Sequence, residues 1–342
     1  MVYSDEQLFE KVVEVLRPFD LSVVDYEEFC DKMDEAMRLG LQKSTNGKSS
    51  IKMFPSYVTK VPNGTETGNF LALDLGGTNY RVLSVTLEGK GKSPRIQERT
   101  YSIPAEKMSG TGTNVAYIED SSKVEMVDNI FEPEVIVNTE WGAFGENGEL
   151  DCWRTQFDKA MDIESLHPGK QLFEKMVSGM YLGELVRHIL VYLVEQKVLF
   201  RGKLPERLKV RNSLLTRYLT DVERDPAHLL YSTYYMLTED LSVPVVEPVD
   251  NRIVRYTCEM VVKRAAYLAG AGIACILRRI NRSEVTVGVD GSLFKFHLKF
   301  CERMTDMIDK LKPKNTRFCL RLSEDGSGKG AAAIAASCSR KE

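Results

Sequence analysis

The chain has 342 residues, enough for two domains, and its 43% hydrophobic and 28% charged content is that of a globular protein able to bury a core. A net charge of −3 without any basic run excludes a nucleic-acid-binding field. Seven scattered cysteines lack a Cys-x-x-Cys pair and the four histidines lie apart from them, which excludes a zinc site and points to free thiols in a reducing compartment. The acidic N-terminus has no apolar stretch of signal-peptide type, and no apolar run reaches membrane-spanning length, so the expected address is the cytosol.

Residues 4–41 read as two amphipathic helices. Ser4 and Gln7 form a capping box before the apolar face of Leu8, Phe9, Val12, Val13 and Leu16, and Pro18 closes the helix. Asp25 with Glu28 is expected to open the second, with Gly40 as its stop. Residues 42–69 are polar and rich in Gly, Pro and Thr, and read as a linker or surface segment. Strands are predicted at 69–75, 79–88, about 94–102 and 134–139. A long helix is expected near 169–197 and a second over 253–280, the latter carrying the close-packing run Ala269-Gly270-Ala271-Gly272. The last quarter repeats one theme. A buried strand at 285–289 is followed by the turn Asp290-Gly291-Ser292 and a helix over 295–311; a strand at 318–322 is followed by a Gly/Ser turn at 323–330 and a helix from Ala331.

Residues 70–85 are the most telling. Two apolar runs flank Gly76, Gly77, Thr78 and Asn79, a turn that can offer backbone N–H groups and a hydroxyl to a phosphate. Asp74 precedes the turn, placed to meet a metal ion through water rather than directly, and Arg81 follows it with a fixed positive charge. Alone, the stretch favours a phosphate-binding turn over an ordinary Gly-turn hairpin by roughly two to one. Either strand–turn–helix unit near the C-terminus would alone read as a plain βα turn, but the two together with the hairpin fit phosphate or ribose cradles and point to a nucleotide. The last turn is not a Walker A loop, because Lys329 is followed by Gly330 rather than Ser or Thr.

Residues 73–81, 139–145, 168–176, 288–292 and 323–330 together resemble eukaryotic hexokinases in content, order and spacing. The resemblance implies a two-lobed actin/Hsp70-like (ribonuclease H-like) α/β fold and phosphorylation of the 6-hydroxyl of glucose or a related hexose by ATP with Mg²⁺. It implies a cytosolic monomer with no nucleic-acid partner and no membrane insertion. By the same resemblance Asp74, Gly76, Gly77, Thr78, Asn79 and Arg81 form the first phosphate turn, and Gly110, Thr111, Gly112 and Thr113 the second, with Asn114 also touching sugar. Glu140 and Glu174 are the two carboxylates that accept hydrogen bonds from sugar hydroxyls, chemistry that suits an ionised acid. Each alone would pass as an ordinary carboxylate, Glu140 at a strand end and Glu174 in a first helical turn. Asp290, Gly291, Ser292, Ser323, Gly326, Ser327 and Lys329 match the adenosine and phosphate contacts. The implied layout is an N-terminal helical segment and linker at 1–68, a small-lobe remnant at 69–109, a large lobe at 110–327, and a terminal helix at 328–342 that returns to the small lobe. An actin/Hsp70-type ATPase would share the first hairpin but leaves Glu140-Trp141 and residues 168–176 unexplained.

The chain departs from the family at one place. The family's general base is an Asp in an Asn-Asp-Thr motif; no such tripeptide occurs here, nor does the family's Ser-Phe-Pro loop. No catalytic base is therefore identified, and Asp74 and Asp290, on the nucleotide side by family geometry, are not expected to replace it. The chain is about a hundred residues short of one hexokinase unit. The shortfall falls at residues 108–114, which look like a deletion joined across a Gly-Thr repeat. Residues 103–109 carry a proline and two charges and do not read as the strand that should feed the second turn. The expectations are an impaired kinase, an inactive sugar- or nucleotide-binding variant, or an unstable truncated isoform with uncovered apolar faces.

Overall fold

The computed structural model describes all residues except 1–2, 57, 59–61, 76–78, 91, 103–111, 129–131, 227, 324–325 and 339–342. In chain order the elements are α1 (Asp5–Leu16), α2 (Val23–Leu41), β1 (Phe54–Pro55), β2 (Thr67–Leu75), β3 (Asn79–Glu88), β4 (Arg95–Ser102), β5 (Ala116–Asp120), β6 (Glu134–Asn138), α3 (Gln156–Ile163), α4 (Leu172–Val177) and α5 (Gly179–Glu195). There follow α6 (Glu206–Lys209), α7 (Thr216–Arg224), α8 (Tyr231–Tyr235), α9 (Pro248–Ile280), β7 (Glu284–Val289), α10 (Ser292–Phe296), α11 (Phe300–Leu311), β8 (Arg317–Leu322) and α12 (Gly326–Cys338).

Three separate sheets form among the described residues. Antiparallel β2-β3-β4 carries the hairpin, with Asp74 opposite Arg81; β1-β6-β5 is antiparallel; β7-β8 is parallel. The centre of the molecule is α9, packed against α1, α2, α4, α5, α7, α8, α11 and β5. Its length and mean hydropathy would let it cross a membrane, which the apolar runs of the sequence did not suggest, but 83% of its apolar window is buried inside this fold. The close-packing run works as expected. A Cβ on Gly270 would lie 2.7 Å from Met304 O, and one on Gly272 would lie 2.8 Å from the Trp141 ring. Among the described residues nearly the whole core belongs to this helical body, while the hairpin sheet has a small cluster of Ala72, Leu83, Val85 and Ala332, the last supplied by α12.

Several local expectations are corrected. The α2 cap is Ser22, whose hydroxyl accepts from Asp25 N while the Asp25 carboxylate accepts from Ser22 N; Asp25 is the box partner, not the opener. Gly40 does not stop α2 but lets it approach Ile51 and Met53. The presumed linker is part of the core at Ile51 and Met53, and β1 pairs with β6. The expected helix at 169–197 is two helices broken at Ser178, whose hydroxyl caps α5. The strand at 285–289 is not buried: β7 alternates exposed and half-buried residues. The helix at 295–311 is likewise divided into α10 and α11, and the last helix starts at Gly326, so Gly326, Ser327 and Lys329 stand in its first turn rather than in a loop.

Candidate functional site

The chain turns sharply after β6. Thr139 N donates to Val115 O at 3.0 Å, which ties the start of β5 to the end of β6, and Glu140 follows in the left-handed region at φ 56°. A non-glycine residue held there signals a position fixed by its surroundings. Here the surroundings are two carboxamides. Asn114 Nδ2 donates to Glu140 Oε1 at 2.7 Å and to Asn138 Oδ1 at 2.7 Å; Asn138 Nδ2 donates to Glu140 Oε1 at 2.8 Å. Glu140 N returns a bond to Asn114 Oδ1 at 3.0 Å. Trp141 donates from Nε1 to Thr113 Oγ1 at 3.1 Å, so the residues before β5 are fixed from two sides. One oxygen of Glu140 is thereby occupied, leaving the other free of these amides.

Glu174 stands on α4, whose entry is also built on a left-handed residue, Gln171 at φ 53°. The preceding loop is pinned by Asp162, which accepts from Gly169 N at 3.0 Å, Arg154 Nη2 at 2.9 Å and Lys175 Nζ at 2.6 Å. Glu174 is fully buried, yet neither carboxylate oxygen has a hydrogen-bond partner; Oε1 of Gln171 is in the same position. Burial, the largest influence, pushes the Glu174 carboxyl up to about 7; the nearby Gly112 N–H and Lys175 oppose that rise, and Glu140 adds to it. The Gly112 N–H thus lies close enough to favour the charged form without meeting the geometry of a bond. Glycine is required on both sides. A Cβ on Gly112 would strike Ser178 and sit 3.2 Å from Glu174 Oε1; one on Gly142 would lie 2.5 Å from Gln171 Oε1 and 3.3 Å from Glu174 Oε2. A buried acceptor left without donors costs free energy, on the order of 1–3 kcal/mol or more for a charged group. An arrangement of this kind is stabilised by a ligand that brings hydroxyl donors.

Gly112, Thr113 and Asn114 also line a cleft of about 300 Å³ together with Ser178 and with Asp290, Gly291 and Ser292 at the end of β7. Ser323 N donates to Val289 O at 2.9 Å, so the turns after the parallel strands β7 and β8 lie side by side at their carboxyl ends, the end of an α/β sheet at which ligands bind. From there α12 runs back onto β2 and β3. Gly326, Ser327 and Lys329 stand at the N-terminal end of α12, the end of a helix that favours an anion.

The structure thus brings Gly112, Thr113, Asn114, Glu140 and Glu174 into one group and joins it through the cleft to Asp290, Gly291 and Ser292. Asp74, Asn79 and Arg81 lie on the paired ends of β2 and β3. Gly76, Gly77, Thr78, Gly110 and Thr111 fall outside the described residues, as does the junction before Gly112. Sequence reasoning missed four participants: Asn138, Trp141 as a donor, Gln171 and Ser178. Ser178 carried a signal, since a Ser before Gly179 inside an apolar helical run is an N-cap pattern. Asn138 and Gln171 carried none, because their roles depend on distant partners.

Hexokinase family models match the chain over residues 11–121 and 108–337. Hexokinase from Schistosoma mansoni is 68% identical over an alignment of 450 residues that covers 100% of both chains. Hexokinase-1 from Rattus norvegicus is 34% identical over 453 residues, covering 98% of this chain and 49% of that protein, so the chain spans about half the length of this mammalian relative. A solved structure of Schistosoma mansoni hexokinase complexed with glucose superposes with a TM-score of 0.93 at 67% identity, over 98% of this chain and 100% of that one. A further hexokinase crystal structure, at 21% identity and a TM-score of 0.81, shares the fold. With family models over most of its length and a close relative matched end to end, the chain belongs to the hexokinase family of sugar kinases and has their two-lobed actin/Hsp70-type fold.

Proposed function

We propose that this chain binds glucose or a related hexose at Asn114, Glu140 and Glu174, and ATP along the turns at Asp290–Ser292 and Ser323–Lys329, and that its turnover is strongly reduced. The observation that carries the sugar site is the buried Glu174 carboxylate with two unpartnered oxygens beside the Asn114–Glu140 pair. Vicinal hydroxyls would supply those donors. The glucose complex of the Schistosoma mansoni relative supports this choice of ligand. For the nucleotide, the paired turns after β7 and β8 and the first turn of α12 offer N–H groups and hydroxyls to phosphate. Mg²⁺ takes oxygen ligands and keeps several waters, and Asp290, the single carboxylate lining the cleft, suits an ion held mainly by phosphate. When bound, Mg²⁺ neutralises charge on the transferred phosphoryl group.

The reduced turnover rests on what the cleft lacks. Transfer to the 6-hydroxyl needs a base within hydrogen-bond reach of that proton, and losing such help costs about 10²–10⁴-fold. Glu174 stands behind Gly112 and serves as an acceptor for hydroxyls, and Asp290 stands on the nucleotide side. At least 108 positions of the alignment with the Schistosoma mansoni hexokinase have no residue here, which supports a missing internal segment at the junction before Gly112. We divide the chain at 1–68, 69–109, 110–327 and 328–342; the packing of α12 on β2 and β3 supports assigning the last piece to the hairpin lobe. The free cysteines accord with a cytosolic address.

Two measurements on the purified chain decide the matter. Glucose is expected to raise the melting temperature, while glucose-dependent ADP release stays at least a hundredfold below that of the Schistosoma mansoni enzyme. No thermal shift overturns the sugar site; ADP release at the relative's rate overturns the impairment.

A further inference from the structure

Among the described residues β5 has a strand on one side only, β6, and β7 has a strand on one side only, β8. The backbone directions can be read from the bonds that flank them. Thr139 N donates to Val115 O and Ser121 N donates to Pro133 O, so along β5 the odd-numbered residues face β6 and the N–H and C=O groups of Ala116 and Ile118 point the other way. Arg317 N donates to Ser283 O and Ser323 N donates to Val289 O, so on β7 the groups of Glu284, Thr286 and Gly288 point away from β8. These two open edges line the same groove of about 320 Å³, with Ile273, Ile276, Leu277 and Ile280 of α9 along it. A lone two-stranded parallel pair is unusual, since parallel sheets ordinarily continue and are covered. Between β4 and Gly112 the sequence has only residues 103–111, whose Pro104, Glu106 and Lys107 are not the composition of a central strand.

We propose that the slot between β5 and β7 accepts strands from a second polypeptide, namely the hexokinase segment for which this chain has no counterpart. Its main chain would pair with the edges at Ala116, Ile118, Thr286 and Gly288, and its apolar side chains would cover the isoleucines of α9. The alignment positions without a residue here, and the overlap of the two family-model matches at residues 108–121, which run into β5, favour this occupant over any other strand-forming peptide. The inference rests on the proposed missing segment and not on sugar binding.

The test uses the full 342-residue chain. The portion of Schistosoma mansoni hexokinase without a counterpart here is produced as a separate polypeptide and mixed with it in the absence of sugar. A one-to-one complex is expected by light scattering, with amide exchange slowed at least tenfold at Ala116, Ile118, Thr286 and Gly288 and unchanged along α5. Thr286→Pro removes one open N–H and leaves the β7–β8 bonds in place, so it must weaken the complex at least tenfold; if it lowers the melting temperature of the free chain, Ala116→Pro on the facing edge replaces it. Absence of a complex overturns the proposal, as does a complex without slowed exchange at those amides. Slowing that grows with the concentration of the chain alone also overturns it, because a second copy then fills the slot. Since no sugar is present, failure here leaves the glucose reading standing, and failure of glucose binding leaves this one standing.

Discussion

A carboxyl group buried away from water prefers its neutral form, and burial, only partly offset by the Gly112 N–H and Lys175, holds Glu174 at about 7 against an ordinary value of 4.5. The folded chain therefore keeps a proton that the unfolded chain gives up between those two values. The resulting stabilisation is full below about 4.5 and is lost as pH rises through about 7. Urea midpoints measured at pH 5 and pH 8 should differ in that direction, and Glu174→Gln should flatten the difference. Glucose hydroxyls that donate to the carboxylate favour its charged form, so glucose binding near pH 6 should release protons, seen by calorimetry in buffers of different ionisation enthalpy. Hydrogen bonds to a charged group contribute about 1.5–3 kcal/mol, so Glu174→Gln should weaken glucose binding about ten- to a hundredfold. At this scale the sequence was legible where a residue belongs to a contiguous motif, as Glu140 and Glu174 do. It was silent on Gln171 and Asn138, whose importance arises from the side chains that folding places beside them.

Between elements the decisive contacts are those made by α9. Arg264 is fully buried and donates two bonds to Asp158 of α3, at 2.8 and 2.6 Å, with its guanidinium 4.2 Å above the Phe19 ring. Asp158→Asn leaves that guanidinium without its countercharge and should cost about 3–5 kcal/mol, read as a fall in the denaturant midpoint. Gly270→Ala sets two effects against each other. Alanine is the better helix former by about 1 kcal/mol. Its Cβ, however, would meet the backbone oxygen of Met304 at 2.7 Å, which α11 cannot relieve by a side-chain rotation. Overpacking of about 1–3 kcal/mol should win, and the variant should be less stable. Element types were largely legible because periodicity and caps are local. The division into α4 and α5 was masked by apolar spacing that runs straight through Ser178, whose N-cap pattern was its one local sign. Nor was the burial of Ile51 and Met53, which depends on α2 approaching them at Gly40 rather than on anything in the surrounding polar segment.

On the scale of the molecule, the helical body and the hairpin sheet are unequal. Among the described residues the sheet's core cluster is Ala72, Leu83, Val85 and Ala332, and Leu71 stands 72% exposed on its other face, whereas α9 is surrounded. Local opening follows such differences in buried contact. Amides of β2, β3 and β4 should exchange at least about a hundredfold faster than those in the middle of α9, measurable by hydrogen exchange with mass spectrometry. The two-lobed class could be read from the order of the motifs. The open edges of β5 and β7 could not, because the length of a chain tells how much is missing but not which backbone groups are left facing a gap.

The position of α9 has a consequence for how the protein is made. α1 and α2 reach the ribosome exit well before α9, yet α9 is the surface they dock on, and Cys30 of α2 donates to Ala271 O across 241 positions of sequence. At about 5–20 residues per second, the first two helices wait on the order of 10–40 s for their partner. Throughout that interval Val12, Leu16, Phe29 and Met33, all buried in the finished protein, face water or a chaperone. Synthesis order and assembly order therefore run opposite ways, and the N-terminal helices are among the last parts of the nascent chain to become protease-resistant.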